Sequence, residues 1–401
     1  MKKNKKVIIP VAILAVLLTT LICLLICNLL KKGPKVEYAP FEAILKNFDG
    51  KPENEYTNLN FEGCSFEPVY AVKTDALYSF STLTKPVDLE KEPVEVANEY
   101  YDKIVAFAKK LLGIDISNKE YRFWGGGLMN KSSGPQSPQS EIAFQISPCK
   151  TIRMIDCSRA DIANNNVILE NTYRLDRGDD ITGAKADGID ITLKEAIDLC
   201  DDFTEKNMME YCMGDRFVLQ NAYIVKRQDG KSLYIIRYQH SYKGVCLNDM
   251  GNAALYEYGS ARYNFLQYMV DNEGICSVEN QYASAFKEEK PLEDSYVTFD
   301  SACRVLSDYL APYGKYDVSA VSINYVAIDY TDENRPMLEP VFRPMWSFVT
   351  KEGEPNGADI DPRMFMCVDM QTADIYVMDP IDSRPWFSIN PNKKLEEVGE
   401  K

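Results

Sequence analysis

Twenty-four consecutive residues near the start of this chain, Val7 to Leu30, carry no charge, and only Pro10, Thr19, Thr20 and Asn28 interrupt the apolar run. No other feature narrows the possible folds so sharply. In lipid such a segment must close its backbone hydrogen bonds within itself, as a helix. At about 1.5 Å per residue the run exceeds a hydrocarbon core of ~30 Å. Lys2, Lys3, Lys5 and Lys6 precede it, and Lys31, Lys32 and Lys35 follow. With the amino terminus added, that balance places the N-terminus inside the cell. Leu25-Ile26-Cys27-Asn28 offers no small-residue cleavage site. The expectation is therefore a single-pass cell-membrane protein, held by an uncleaved signal anchor within residues 1–35, with its C-terminal region extracytoplasmic.

The remaining composition limits the function classes. Lys+Arg is 45 and Asp+Glu is 60, a net −15, and all seven charges before Glu37 are lysines. An acidic chain of this kind does not take nucleic acid as its main partner, because backbone phosphates demand a basic face. With 45% hydrophobic and 26% charged residues the chain has a globular balance. A single histidine, His240, excludes a His-rich metal site. Outside the apolar run stand Cys64, Cys149, Cys157, Cys200, Cys212, Cys246, Cys276, Cys303 and Cys367, irregularly spaced and without C-x-x-C. They read as small buried hydrophobes rather than a disulfide framework.

Periodicity predicts a coarse repeat of a helix followed by strands. Helices are predicted from about Glu95 to Leu112, Leu193 to Met208 and Phe299 to Leu310. Thr192 and Glu195 form a capping-box pattern at the second. Strands are expected at Tyr121–Trp124, Ile142–Ile146, Thr151–Ile155 and Val167–Glu170 after the first helix. Phe217–Val225, Leu233–His240, Tyr263–Val270 and Ile275–Val278 follow the second. Val318–Ile328, Met337–Val349, Met364–Asp369 and Asp374–Val377 follow the third. Period-2 alternation at Ala320–Ala327 fits a sheet covered on one face by a helix. The predicted fold class is α+β, an N-terminal transmembrane helix followed by two or three helix-on-antiparallel-sheet modules. The divisions are 1–35 stub and anchor, 36–90 spacer and first strands, 91–189, 190–294 and 295–390 modules, and 391–401 a flexible tail.

The segment Val341-Phe342-Arg343-Pro344-Met345-Trp346-Ser347-Phe348, then Phe365-Met366-Cys367-Val368-Asp369, a turn and Ile375-Tyr376, resembles the closing part of PepSY-like domains. It is also similar to the extracytoplasmic parts of YycI/YycH-type membrane-anchored regulators of histidine kinases. Thr192–Ile197, Tyr242–Val245 and Asp271–Ile275 give a partial echo. The resemblance covers roughly residues 190–380 and implies binding, inhibition or regulation, with no shared catalytic set.

Candidate chemistry is sparse. His240 ends a strand and could serve a Ser-His or Cys-His enzyme, but no G-x-S-x-G surrounds any serine, so it reads as an exposed strand-end histidine. Ser-x-x-Lys occurs at Ser147–Lys150 and Ser284–Lys287 without Lys-Thr-Gly, and reads as chance. Gly125-Gly126-Gly127 opens a long polar loop rather than a phosphate cradle. Asp176-Arg177-Gly178-Asp179-Asp180, with Asp187-Gly188 and Asp190, lacks the EF-hand order and reads as a solvated linker. No catalytic, cofactor-binding or metal-binding residue is assigned, and no cofactor is expected. The functional expectation is a non-enzymatic binding or regulatory protein of the cell envelope. Its expected partners are the membrane, through the N-terminal helix, and another envelope or membrane protein. The rivals are a cell-wall-acting hydrolase with an unidentified acid pair and a structural envelope subunit.

Overall fold

The computed structural model describes residues 36–48, 56–67, 77–83, 93–124, 127–130, 142–146, 152–160, 173–176, 181–212, 214–226, 232–248, 265–280, 285–328, 341–350, 365–378 and 387–389. The N-terminal part supplies β1 (Tyr38–Ala39), α1 (Phe41–Phe48), β2 (Leu59–Asn60), β3 (Ser65–Glu67) and β4 (Tyr78–Leu83). Next come α2 (Pro93–Leu112), β5 (Tyr121–Trp124), β6 (Gly127–Asn130), β7 (Ile142–Ile146), β8 (Ile152–Asp156), the short α3 (Cys157–Ala160) and β9 (Tyr173–Asp176). A second run holds α4 (Leu193–Asn207), β10 (Arg216–Lys226), β11 (Ser232–Tyr242), β12 (Val245–Asn248), β13 (Phe265–Asp271) and β14 (Gly274–Asn280). β15 (Ala285–Pro291) and β16 (Tyr296–Val297) lead into α5 (Phe299–Leu310), β17 (Tyr316–Ile328), β18 (Val341–Thr350), β19 (Phe365–Asp369), β20 (Ile375–Met378) and β21 (Phe387–Ile389).

Local chemistry explains the helix starts. Thr192 Oγ1 accepts from the Glu195 amide at 3.2 Å, and the Glu195 carboxylate accepts from the Thr192 amide at 2.7 Å. Two of the orphan N–H groups at that end of α4 are thereby satisfied. Thr298 caps α5 with its side chain alone, which accepts from the Ser301 amide.

Antiparallel pairs run in the order β5–β6–β7–β8–β14–β13–β11–β10–β9. β11 turns at Lys243-Gly244 into β12, which lies parallel beside β17. From there the order is β17–β18–β19–β20–β21. β2 and β3 also lie parallel on β17, and β4 sits between β15 and β18. β1 and β16 pair separately.

This corrects the α+β expectation. The protein is mostly sheet, and one mixed sheet carries strands from every region of the chain. The reason is pairing at long range: β2, β3 and β12 reach β17 from far away in sequence, in parallel register, and hydrophobic periodicity carries no trace of such partners. The single-pass expectation is corrected as well. Among the described residues no helix is long and apolar enough to cross a membrane. The run at 7–30, on which the membrane and extracytoplasmic placement rested, lies outside the described residues. So do the strand expected at Val167–Glu170 and the tail from 391.

Two cores lie on the helix-covered side. In one, Ile104 and Phe107 of α2 and Leu193, Ala196 and Cys200 of α4 meet Tyr234, Ile236, Tyr238 and Tyr268 of the sheet. The tyrosine hydroxyls there are tied down: Tyr238 donates to Asp201 at 2.7 Å, Tyr268 and Thr204 share a 2.7 Å bond, and Tyr234 donates to the Ile191 carbonyl at 2.9 Å. In the other core, Ala302, Val305 and Leu306 of α5 cover Ile323, Tyr325, Trp346 and Phe348. Trp346 Nε1 donates to the Val297 carbonyl at 2.8 Å. A smaller cluster, including Ile155, Val225, Leu233, Ile235, Met269 and Cys276, forms on the opposite side of the sheet, together with Ala160 of α3.

Candidate functional site

That opposite side, the second face, holds a row of polar residues. Directly opposed residues point to the same side of a sheet. Gln145 opposes Arg153, Arg153 opposes Glu279, Glu279 opposes Gln267, Gln267 opposes Arg237, and Arg237 opposes Asn221. Six strands thus carry one polar residue each in a single line, at the inter-strand spacing of about 4.8 Å. The neighbouring row, two residues along, is mainly apolar: Ala143, Ile155, Ser277, Met269, Ile235 and Tyr223.

The arrangement has a centre. β8 and β14 pair antiparallel, so a local twofold passes between them. Arg153 and Glu279 form an ion pair across it, and a glutamine flanks each side, Gln145 on β7 and Gln267 on β13. Beyond Gln267 the Arg237 Nε donates to Gln267 Oε1 at 2.8 Å, and its guanidinium lies over the Tyr223 ring at 5.4 Å. Burial is graded along the row. The Arg153 side chain keeps 31% exposure and Glu279 13%, whereas Arg237 and Gln267 are 6% exposed and Asn221 2%. The row opens to solvent at the ion pair and closes toward Asn221.

Asn221 Oδ1 and Ser277 Oγ are buried and have no hydrogen-bond partner among the described residues. Burying such an atom unsatisfied costs about 1–3 kcal/mol, so its place calls for a hydrogen-bond partner, from water or from a ligand. Cys276 occupies a bulge beside Ser277, and burial first, with Asp271 adding, pushes its thiol up to about 12. A thiol so placed is inert as a nucleophile. At the rim, Arg159 of α3 donates through Nε to Asp271 Oδ2 at 3.0 Å and through Nη2 to the Gly274 carbonyl at 3.0 Å. This clamps α3 to the β13–β14 turn. Asp369 holds the matching β19–β20 turn: it accepts from the Gln371 and Thr372 amides and pairs with Arg343 at 3.0 Å. Burial raises the Asp369 carboxyl, and Arg343 works against that rise.

The residues singled out by sequence do not assemble. His240 is not an exposed strand end. It is fully buried on the helix side, its ring 4.8 Å from that of Phe217. Ser147, Lys150, Ser284, Gly125, Gly126 and residues 177–180 lie outside the described residues; Lys287 falls in β15, Gly127 opens β6 and Asp176 closes β9. Asp190 belongs to a structured turn, its amide donating to Asn272 Oδ1 at 2.6 Å. Among the described residues no group of three His, Cys, Asp or Glu side chains could hold a metal ion. The polar row itself had a sequence signal. Four of its members interrupt apolar stretches, in Ala143-Phe144-Gln145-Ile146, Ile152-Arg153-Met154, Leu266-Gln267-Tyr268 and Ile236-Arg237-Tyr238.

No family model matches this chain, and no curated protein does. Among solved structures, the chain is similar to an uncharacterized protein from Eubacterium rectale ATCC 33656, with 12% identity and a TM-score of 0.49, covering 88% of this chain and 99% of that one. At that level the likeness carries no argument about function.

Proposed function

We propose that this protein is a non-enzymatic binding or regulatory protein whose binding element is the second face of its sheet. The observation that supports this reading is the polar row: one polar side chain from each of six strands, in register, leading from a partly exposed ion pair to buried atoms that lack a hydrogen-bond partner. A core needs no such row, since apolar residues of similar shape would pack there at lower cost. Sites that hold polar ligands combine an apolar floor with a few convergent polar groups, and this face has both. Native mass spectrometry of the full chain, purified from the cells that make it, tests the proposal. An added mass that is absent from the Gln145→Leu/Gln267→Leu variant is expected. Hydrolytic release of products from a cell-wall preparation, unaffected by that variant, would overturn it in favour of the hydrolase.

A further inference from the structure

Residues 56–67 form a strap across α5. At one point Asn58 holds it: the backbone amide donates to Ser307 Oγ at 3.2 Å, and the side-chain amide donates to the Ser307 carbonyl at 3.0 Å. Further along, the Phe61 and Phe66 rings meet the Phe299 ring edge-on, at 6.2 and 5.8 Å. Phe299, Cys303 and Ser307 are spaced four apart, so they lie along one side of the helix. Cys303 is the middle residue of that line and is fully buried. On the strap, Cys64 stands between Phe61 and Phe66 and is half-buried. Its amide donates to the Phe61 carbonyl at 3.0 Å, closing a turn in which Gly63 takes a φ of 69°. Cys303 is part of the core under α5, and Cys64 packs against that core. From this placement we infer that Cys64 and Cys303 are a latent disulfide pair, which a small-molecule disulfide converts to a bond stapling the strap to α5.

Burial fixes which thiol reacts first. Cys64 meets solvent in part, so its thiolate attacks the small disulfide. A mixed disulfide forms at Cys64 and one small thiolate leaves. The Cys303 thiol then gives up its proton, and its sulfur attacks the Cys64 sulfur. The protein disulfide forms and the second small thiolate leaves. Two protein thiols are thereby oxidised, one small disulfide is reduced to two thiols, and those thiols take up the two protons. Burial first, and Cys64 second, push the Cys303 thiol up, so the two sulfurs act on each other and the second step is the slower. The strap has the play that disulfide geometry requires, because β2 pairs with β17 over two residues and β3 over three. A bond between such distant positions in the chain restricts the unfolded state far more than the native one.

Incubation of the native full chain with oxidised glutathione, followed by alkylation of the remaining thiols and peptide mapping without reduction, tests the inference. The wild type should yield the Cys64 and Cys303 peptides joined by a disulfide. Cys303→Ala should stop at a glutathione adduct on Cys64. The linked chain should unfold about 5 °C above the reduced chain. Its amides at residues 56–67 should exchange with solvent about tenfold more slowly, and dithiothreitol should reverse both effects. The mapping is made on the wild type, so its result stands even if the variant fails to fold. A lasting glutathione adduct on Cys64 of the wild type, a bond from Cys64 to any other cysteine, no modification of either residue, or a linked chain less stable than the reduced one would overturn the inference.

Discussion

At the scale of single residues, Gly214 is the most constrained position described. A Cβ built there would lie 1.8 Å from the Ser241 carbonyl oxygen and 2.6 Å from its carbon. Both neighbours are backbone, so neither can rotate away. Gly214→Ala is therefore expected to cost about 3 kcal/mol or more, read as a fall in the urea midpoint. Asp201 gives a pH signature. Burial raises its carboxyl, against the hydrogen bond from Tyr238 that lowers it. The folded state therefore binds the proton more readily than the unfolded chain. The stability this contributes is present below the ordinary carboxylate range and lost as pH rises through the raised value. Asp201→Asn, which keeps an acceptor for Tyr238, should remove this contribution, so the stability of wild type relative to the variant should fall as pH rises across that window. Cysteine reactivity follows burial too. Cys64 and Cys157 are half-buried, whereas Cys200, Cys276, Cys303 and Cys367 are buried with thiols pushed up, mainly by burial. Brief alkylation of the native protein followed by peptide mapping should mark Cys64 and Cys157 before those four.

At the scale of elements, local signals were legible and partners were not. The apolar spacing of α4 and its Thr192–Glu195 cap are visible in the sequence, and the helix runs Leu193–Asn207 with that cap in place. Thr192→Ala should lower stability by about 1 kcal/mol, since the Glu195 amide loses its side-chain acceptor. The helix at Phe299–Leu310 was equally readable from Ala302, Val305 and Leu306. The polar row was not. Gln145 and Gln267 each look like an ordinary interruption within a strand, and only the β7–β8–β14–β13 register brings them into one line. His240 misled because the end of a strand was taken for exposure, while here the Phe217 ring packs against it.

At the scale of the whole molecule, the single sheet makes regions distant in sequence interdependent. β3 pairs with β17 through Ser65, Phe66 and Glu67, and the Phe66 ring meets Phe299 edge-on at 5.8 Å. β12 ties the strands after α4 to those after α5. Urea unfolding followed by far-UV circular dichroism and by tryptophan fluorescence should therefore give coincident transitions; separate midpoints would show that the regions unfold independently. The central claim is that the second face holds a ligand through atoms the protein itself leaves unsatisfied. The most direct test is a high-resolution crystal structure of the full chain, purified from the cells that make it. The account predicts density that belongs neither to the protein nor to water, within hydrogen-bonding distance of Asn221 Oδ1 or Ser277 Oγ. Finding both atoms bonded only to groups of the protein itself or to ordered water would contradict it.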